Sequence, residues 1–191
     1  FNRIYGEGRW TQGYLVSLAI GQGELGVSPI QMACYAAALA NKGYLRTPHV
    51  VERTRDKETG EIRAAPFATR KVELSDRSWK IIREGMYRSV TEEGGTGAAA
   101  RVAGIPVAGK TGTAQNPHGA DHAWFIGFAP IDHPRIAICA LVENAGFGGT
   151  VAAPIAGMCI EQYLYGKLIR NQPKPPPVIA AGNGAPAAGG H

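Results

Sequence analysis

Lys110-Thr-Gly-Thr113 is the segment of this chain with the clearest capacity for chemistry. It sets an ammonium beside two hydroxyls. In a strand, Thr111 and Thr113 point to one face and Gly112 turns to the other. A glycine inside a strand marks close approach by a ligand or another backbone. A cation with two hydroxyls is a receptor for a carboxylate, and the outward N–H of an edge strand can donate into an oxyanion hole. The same four residues equally suit a surface lysine in a Thr-rich edge strand, so on their own they do not decide.

Two other glycine patterns compete. Gly104-Ile-Pro-Val-Ala-Gly-Lys-Thr111 fits G-x-x-x-x-G-K-[ST], a phosphate loop. That loop needs a helix starting at its lysine, so that backbone N–H groups face the phosphates. Gly112 and Pro117 follow instead, with strand-like Thr and Ala between them. Gly21-Gln-Gly-Glu-Leu-Gly26 fits G-x-G-x-x-G, follows an apolar run and precedes a helix. A dinucleotide fold starts its helix inside the motif, which puts Pro29 in the second turn, where it disrupts the helix. A tight glycine turn between strand and helix is the preferred reading. His122 beside Asp121 invites a general-base role, but a strand-entry turn with a solvent-facing histidine is preferred. The five histidines (His49, His118, His122, His133 and His191) show no metal-ligand spacing.

The elements that must position these residues follow from periodicity. Residues 1–13 read as irregular, and Leu15–Ile20 is a short apolar run. Ser28, Pro29 and Gln31 form a capping box for the first helix, with Ile30, Ala33, Cys34 and Ala37 at helical spacing and Gly43 as the stop. Over 48–73, Val50-Val51 and Ile62 flank turn chemistry at Glu58-Thr-Gly-Glu61 and predict a pair of short strands. The next helix starts at Ser75, with Trp79, Ile82, Met86 and Val90 as its apolar stripe, and ends at Gly94-Gly95. The period then changes to two. Ile105–Gln115, His122–Phe128 and Arg135–Glu143 are three strand candidates, and Trp124, Ile126 and Phe128 share one face. Connections of about six residues suit antiparallel neighbours. A last helix is predicted over 154–168, with Ile155, Met158, Cys159 and Tyr163 on one face.

The 191 residues are 45% hydrophobic, enough for one ordinary domain and too apolar for wholesale disorder. The net charge is +5. Twelve basic residues fall between Arg46 and Arg101, but nine acids are interleaved there, which reads as a solvated surface and excludes a nucleic-acid stripe. The longest central apolar run, Ile136–Val142, is too short to span a bilayer. Residue 1 is Phe and no signal pattern follows, so any export or anchoring segment is expected outside this chain. Cys34, Cys139 and Cys159 read as buried small hydrophobes rather than a disulfide framework. No cofactor is expected. After Asn171 the composition collapses to Pro, Ala and Gly, and 173–191 reads as a disordered tail.

The surroundings of K-T-G resemble those of class B penicillin-binding proteins. Val107-Ala-Gly-Lys-Thr-Gly-Thr-Ala-Gln115 is similar to the long form of that motif. Ala19-Ile-Gly-Gln-Gly23, Val27-Ser-Pro-Ile-Gln31 and Ala37-Ala-Leu-Ala-Asn41 resemble the helix segment upstream. Gly85-Met86, Gly94-Gly-Thr-Gly97 and Val151-Ala-Ala-Pro-Ile-Ala156 match in order. Asp121-His-Ala-Trp-Phe-Ile-Gly-Phe-Ala-Pro130 points to the penicillin-binding protein 2 group of cell elongation. The resemblance implies an α+β fold, here a three-stranded antiparallel sheet packed with helices. It implies a D,D-transpeptidase that forms a serine acyl-enzyme on a D-Ala-D-Ala stem peptide and is acylated by β-lactam antibiotics. It also implies an extracytoplasmic position at the bacterial cytoplasmic membrane, and a place in the cell-wall elongation machinery. Lys110 would belong to an electrostatic cluster, the Thr111 and Thr113 hydroxyls would bind the carboxylate, the Thr113 N–H would serve an oxyanion hole, and Gly112 would leave room for substrate.

One departure bears on activity. The family needs a nucleophile in S-x-x-K and a second motif S-x-N, and none of Ser17, Ser28, Ser75, Ser78 and Ser89 meets either. Residues 1–172 therefore read as the C-terminal portion of a transpeptidase domain, without a catalytic residue of its own. Two strands of the family's five-stranded sheet would be missing, and self-association through the exposed edge is expected. The alternatives are a penicillin-sensing module on the same fold, or a nucleotide-binding protein.

Overall fold

The computed structural model describes Glu7 and residues 11–23 and 25–170. The expected tail at 173–191 lies outside them. The first helix, α1 (Gln12–Ala19), takes in the apolar run that was expected to lead into a glycine turn from a strand. A run this short carries no periodicity that separates strand from helix. It buries no residue among those described.

Helix α2 (Pro29–Ala40) forms as its capping box dictates. The Gln31 N–H donates to Ser28 Oγ, and the Ser28 N–H donates to Gln31 Oε1 at 2.8 Å. Its buried residues are Ala36, Ala38, Leu39 and Ala40 at the C-terminal end. Of the spaced residues Ala33, Cys34 and Ala37 are half-buried and Ile30 is exposed, so the deepest burial lies beside the expected stripe rather than on it. Alanine on every side of the helix leaves the facing undetermined by sequence.

Four three-residue strands follow: β1 (Tyr44–Arg46), β2 (Arg53–Arg55), β3 (Ile62–Ala64) and β4 (Thr69–Lys71). The pair β2–β3 is the expected hairpin, shifted so that Val50-Val51 lie outside it. The Glu58 and Thr59 N–H groups donate to Asp56 Oδ1 and shape its turn. The pair β1–β4 was not foreseen from the sequence. Three residues of mixed polarity carry no usable alternation.

Helix α3 (Asp76–Thr91), capped by Ser75, buries Trp79, Met86 and Val90 with Ile82 half-buried, the stripe its spacing predicts. A short 3-10 turn spans Ala98–Ala100. The central sheet runs in the order β5 (Ala108–Ala114), β6 (His122–Ala129), β7 (Ile136–Val142), antiparallel throughout. Successive residues of β6 serve opposite faces. Phe128 packs with Leu39, Trp79, Met86 and Ala108 on the α2–α3 side. Ala123 and Phe125 pack with Ala153, Ala156 and Ile160 of α4 (Ala152–Tyr165) on the other.

Two arginines lock the layers. Arg83 donates to the carbonyls of Leu39, Ala40 and Ile131 and lies 5.0 Å over the Phe128 ring, tying the end of α2 to the β6–β7 connection. Desolvation lowers its pKa from the ordinary arginine value. Arg170 pairs with the buried Glu161 at 3.1 Å and donates to the carbonyls of Ala99 and Arg101.

The buried face of α4 is Ala152, Ala153, Ala156, Gly157, Ile160 and Glu161, not the Ile155/Met158/Cys159/Tyr163 face expected. Small residues let the helix close on the 3-10 turn: a Cβ on Gly157 would stand 3.0 Å from Ala100 Cα. The cysteines also depart from expectation. Cys34 and Cys139 are half-buried and Cys159 is exposed, all as free thiols.

Candidate active-site groove

Strand β5 carries Lys110-Thr-Gly-Thr113 along an edge of the sheet, with β6 on one side and no strand on the other among the described residues. Its register sets Lys110 opposite Ile126, Thr111 opposite Phe125, Gly112 opposite Trp124 and Thr113 opposite Ala123. Lys110 therefore shares the α2–α3 face with Ile126, whereas Thr111 and Thr113 share the α4 face with Phe125 and Ala123. The side chains leave the strand on opposite faces, and the ammonium bends to the free edge, so that Lys110, Thr111 and Thr113 line one groove.

Each side chain has a defined hold. Lys110 Nζ donates to the Thr111 carbonyl at 2.7 Å. Thr111 Oγ1 donates to Thr96 Oγ1 at 2.9 Å, so the Gly94-Gly-Thr-Gly97 segment reaches the site through Thr96. Thr113 Oγ1 accepts from the Gly148 N–H at 3.5 Å. A Cβ on Gly112 would stand 3.2 Å from Trp124 Cβ, so the space at Gly112 is shared with that ring's stem.

The free edge is unequal in its polar groups. Ser89 Oγ donates to the Gly109 carbonyl at 2.6 Å, Lys110 Nζ to that of Thr111, and Gln22 Nε2 to that of Thr113 at 2.9 Å. The Gln115 N–H donates to Gln22 Oε1 at 3.2 Å. Ladder alternation turns the N–H of each of these outward residues to the same side as its carbonyl. Among the described residues the side chains have taken the acceptors, and what the edge still offers along the groove is donors, the N–H groups of Thr111 and Thr113. An edge of donors suits an oxyanion or a carboxylate.

Opposite that edge, residues 20–22 and 25–27 with Met32 form the second wall of a groove of about 430 Å³, floored by Trp124 and Ile126. A larger hollow of about 610 Å³ lies two strands away, along β7 and against Ile155 and Cys159, where no charged group but Glu143 lines it. The chemistry therefore belongs to the smaller groove.

The competing patterns do not survive the geometry. Lys110 sits in mid-strand with no helix beginning there, so the phosphate-loop reading fails. Helix α2 starts at Pro29, beyond the last glycine of Gly21–Gly26, so the dinucleotide reading fails. His122 Nδ1 accepts from the Asn144 N–H at 3.0 Å and holds the loop after β7. Gln22, Ser89, Thr96 and Gly148 carried no assigned role in the sequence reading. The G-Q-G and G-G-T-G glycines were the only signal pointing at two of them.

Comparison with known proteins supplies the remaining context. Residues 3–161 match the family model described as the penicillin binding protein transpeptidase domain. The chain is 34% identical over 179 residues to the peptidoglycan D,D-transpeptidase MrdA of Haemophilus influenzae, covering 83% of this chain and 27% of that protein. Its fold matches penicillin-binding protein A of Mycobacterium tuberculosis, solved as a penicillin G acyl-enzyme complex, with a TM-score of 0.66 and 31% identity over 78% of this chain and 35% of that one. It also matches penicillin-binding protein 2 of Helicobacter pylori, solved in complex with MreC, with a TM-score of 0.64 and 30% identity over 83% of this chain and 28% of that one. The chain thus spans about a third or less of the length of these relatives.

Proposed function

The chain belongs to the penicillin-binding protein transpeptidase family, and on that footing we propose that it supplies the K-T-G half of a peptidoglycan D,D-transpeptidase site. In this reading the groove takes the D-Ala-D-Ala end of a stem peptide, or a β-lactam in its place. Lys110 contributes positive potential at the edge. The Thr111 and Thr113 hydroxyls receive the terminal carboxylate, rotating away from Thr96 and Gly148 as needed. Gly112 lets the ligand lie against the strand. The Thr113 N–H donates to the carbonyl oxygen as it turns into an oxyanion, an interaction worth about 3 kcal/mol in the transition state. The donor-rich edge of β5 is the observation that supports this most directly, because a ligand that presents oxygens is the one such an edge selects.

The attacking serine belongs to a segment outside these 191 residues that carries S-x-x-K and S-x-N, since no serine here meets either pattern. A place in the cell-wall elongation machinery, on the extracytoplasmic side of the membrane, belongs to the same proposal. Its support is the likeness to MrdA of H. influenzae and to the H. pylori protein bound to MreC.

Labelling with a fluorescent penicillin tests it. The chain alone is expected to remain unlabelled. Mixed with the S-x-x-K and S-x-N portion of the H. influenzae relative, it is expected to permit labelling of that polypeptide's serine. Lys110→Ala is expected to slow that labelling by about 10- to 100-fold, the loss of one charge-assisted hydrogen bond. Labelling of the isolated chain, no labelling in the mixture, or a labelled mixture indifferent to Lys110→Ala overturns the reading. A labelled mixture that cross-links no stem peptide makes the pair a penicillin-sensing module instead.

A further inference from the structure

The G-x-G-x-x-G pattern is left without a role once dinucleotide binding fails, yet its second residue makes the two longest-range side-chain hydrogen bonds to the site. Gln22 Nε2 donates to the Thr113 carbonyl at 2.9 Å, and Gln22 Oε1 accepts from the Gln115 N–H at 3.2 Å. A carbonyl at one residue and an N–H two residues later are what a neighbouring parallel strand engages with the N–H and C=O of one residue. The Gln22 carboxamide offers the same pair, one donor and one acceptor, from a single amide. It therefore stands where a strand residue opposite Ala114 would stand.

The loop is built to present it. The Gln22 N–H donates back to the Ser17 carbonyl at 2.9 Å, closing the end of α1. Gly21 and Gly23 on either side adopt φ of 75° and 81°, a left-handed backbone that side-chain-bearing residues resist. Strand β5 ends at Ala114, so without Gln22 the main chain of 113–114 is tied to β6 alone among the described strands, the Gly148 N–H reaching only the Thr113 hydroxyl.

We infer that Gln22 is a positioning residue of the groove: its carboxamide clips the end of the K-T-G strand to the opposite wall and so aims the Thr113 N–H at the ligand. This rests on the transpeptidase reading for its consequence but not for its existence. The clip acts through Thr113: at the carbonyl it fixes the 113–114 peptide plane, which is one Cα away from the 112–113 plane that carries the Thr113 N–H. It also removes the Thr113 carbonyl as a competing acceptor, completing the series begun by Ser89 and Lys110.

Amide hydrogen exchange on this chain tests the clip directly. In Gln22→Ala the Gln115 amide is expected to exchange about tenfold faster, while that of Phe125 in the middle of the same sheet is unchanged. Gln22→Glu adds a readout that simple packing does not move. At pH 7 its carboxylate cannot donate to the Thr113 carbonyl oxygen and is repelled by it, so the side chain turns away, the Gln115 N–H loses its acceptor and protection falls. Below about pH 4 the neutral acid is an isostere that donates and accepts as the amide does, so protection returns relative to Gln22→Ala at the same pH. Equal Gln115 protection in wild type and Gln22→Ala overturns the clip, as does Gln22→Glu that shows no recovery at low pH.

The penicillin-labelling mixture then tests the aim. Gln22→Ala is expected to slow acylation about tenfold. If acylation is unchanged although Gln115 has lost protection, Gln22 is a structural tie and the positioning role is wrong. If even the wild-type mixture is unlabelled, the transpeptidase reading falls, and the exchange data alone decide whether the clip exists.

Discussion

Gly148→Ala is the substitution whose effect the geometry fixes most closely. Gly148 is buried where the loop after β7 crosses the backbone of β5 and β6. A Cβ there would stand 2.2 Å from the Trp124 carbonyl oxygen, 2.3 Å from that of Gly112 and 3.1 Å from the Gly112 nitrogen. Ordinary contact begins near 3.4 Å. The obstacles are the main chains of two paired strands, so neither can swing aside as a side chain would. The loop must lift by roughly 1 Å, which breaks the Gly148 N–H bond to Thr113 Oγ1 and loosens the packing below it. Overpacking of this kind costs about 2 kcal/mol, a factor of about 30 in the folding equilibrium. Gly146→Ala, two residues earlier, is the control. Gly146 has φ of 85° but nothing within 4 Å of its missing Cβ, so its cost is backbone strain of about 1 kcal/mol with no displacement of the strand. Urea unfolding of the two variants, with amide spectra of Thr111 and Thr113, separates the cases. Gly148→Ala should be the less stable and should shift both amides, and Gly146→Ala should leave them in place. Equal stability, or unmoved threonine amides in Gly148→Ala, would refute the account of how the loop braces the site.

Two further outcomes are expected. The backbone N–H groups of Thr59 and Glu58 hold the Asp56 carboxylate and lower its pKa from the ordinary value. A depressed folded-state pKa means the turn's contribution is present above the unfolded value and is lost as pH falls through the lower folded one. The Asp56 titration followed by NMR should therefore have its midpoint below that of a free aspartate, and a midpoint at or above that value would show that the turn does not form in solution. At the far side of the sheet, β7 runs Ile136–Val142 without a charge or a proline and pairs only with β6 among the described residues. Unpaired apolar edges of this kind template pairing with another chain. Light scattering should show mass rising with concentration, and a clean monomer at high concentration would count against it.

Much of the frame was legible because its signals are local. The Ser28–Gln31 box and the Trp79–Val90 stripe each lie within one element, and the period of two over β6 needs no knowledge of its neighbours. Facing was legible only where residue size contrasts. Helix α3 sets a tryptophan against lysine and arginine, and its buried side followed. Helices α2 and α4 are rich in alanine, and there the closest approach goes to the small face rather than the large one. In α4 this reverses the expected orientation. The opposed faces of Lys110 and the two threonines were implicit in strand alternation, since 110 is even and 111 and 113 are odd. Alternation does not show that the ammonium bends back to the free edge and bonds the Thr111 carbonyl there. Gln22 could not have been found by spacing, because its partners lie 91 and 93 positions away.

The two edges of the sheet show how one strand becomes a site while its counterpart remains a liability. A bare edge presents N–H and C=O groups alternately, and the partner that satisfies both is another strand. Along β5 a hydroxyl, an ammonium and a carboxamide have engaged the carbonyls of Gly109, Thr111 and Thr113. Another strand would have to displace all three donors to form its full ladder, leaving each to find new partners. A ligand that offers oxygens to Thr111 and Thr113 displaces none. The same three side chains thus discourage indiscriminate pairing and favour an anionic or carbonyl-bearing ligand. Their donors come from α3, from β5 itself and from the loop after α1. Selectivity at this edge therefore depends on the relative placement of three elements, and a change that shifts any one of them should alter what binds before it alters whether the chain folds.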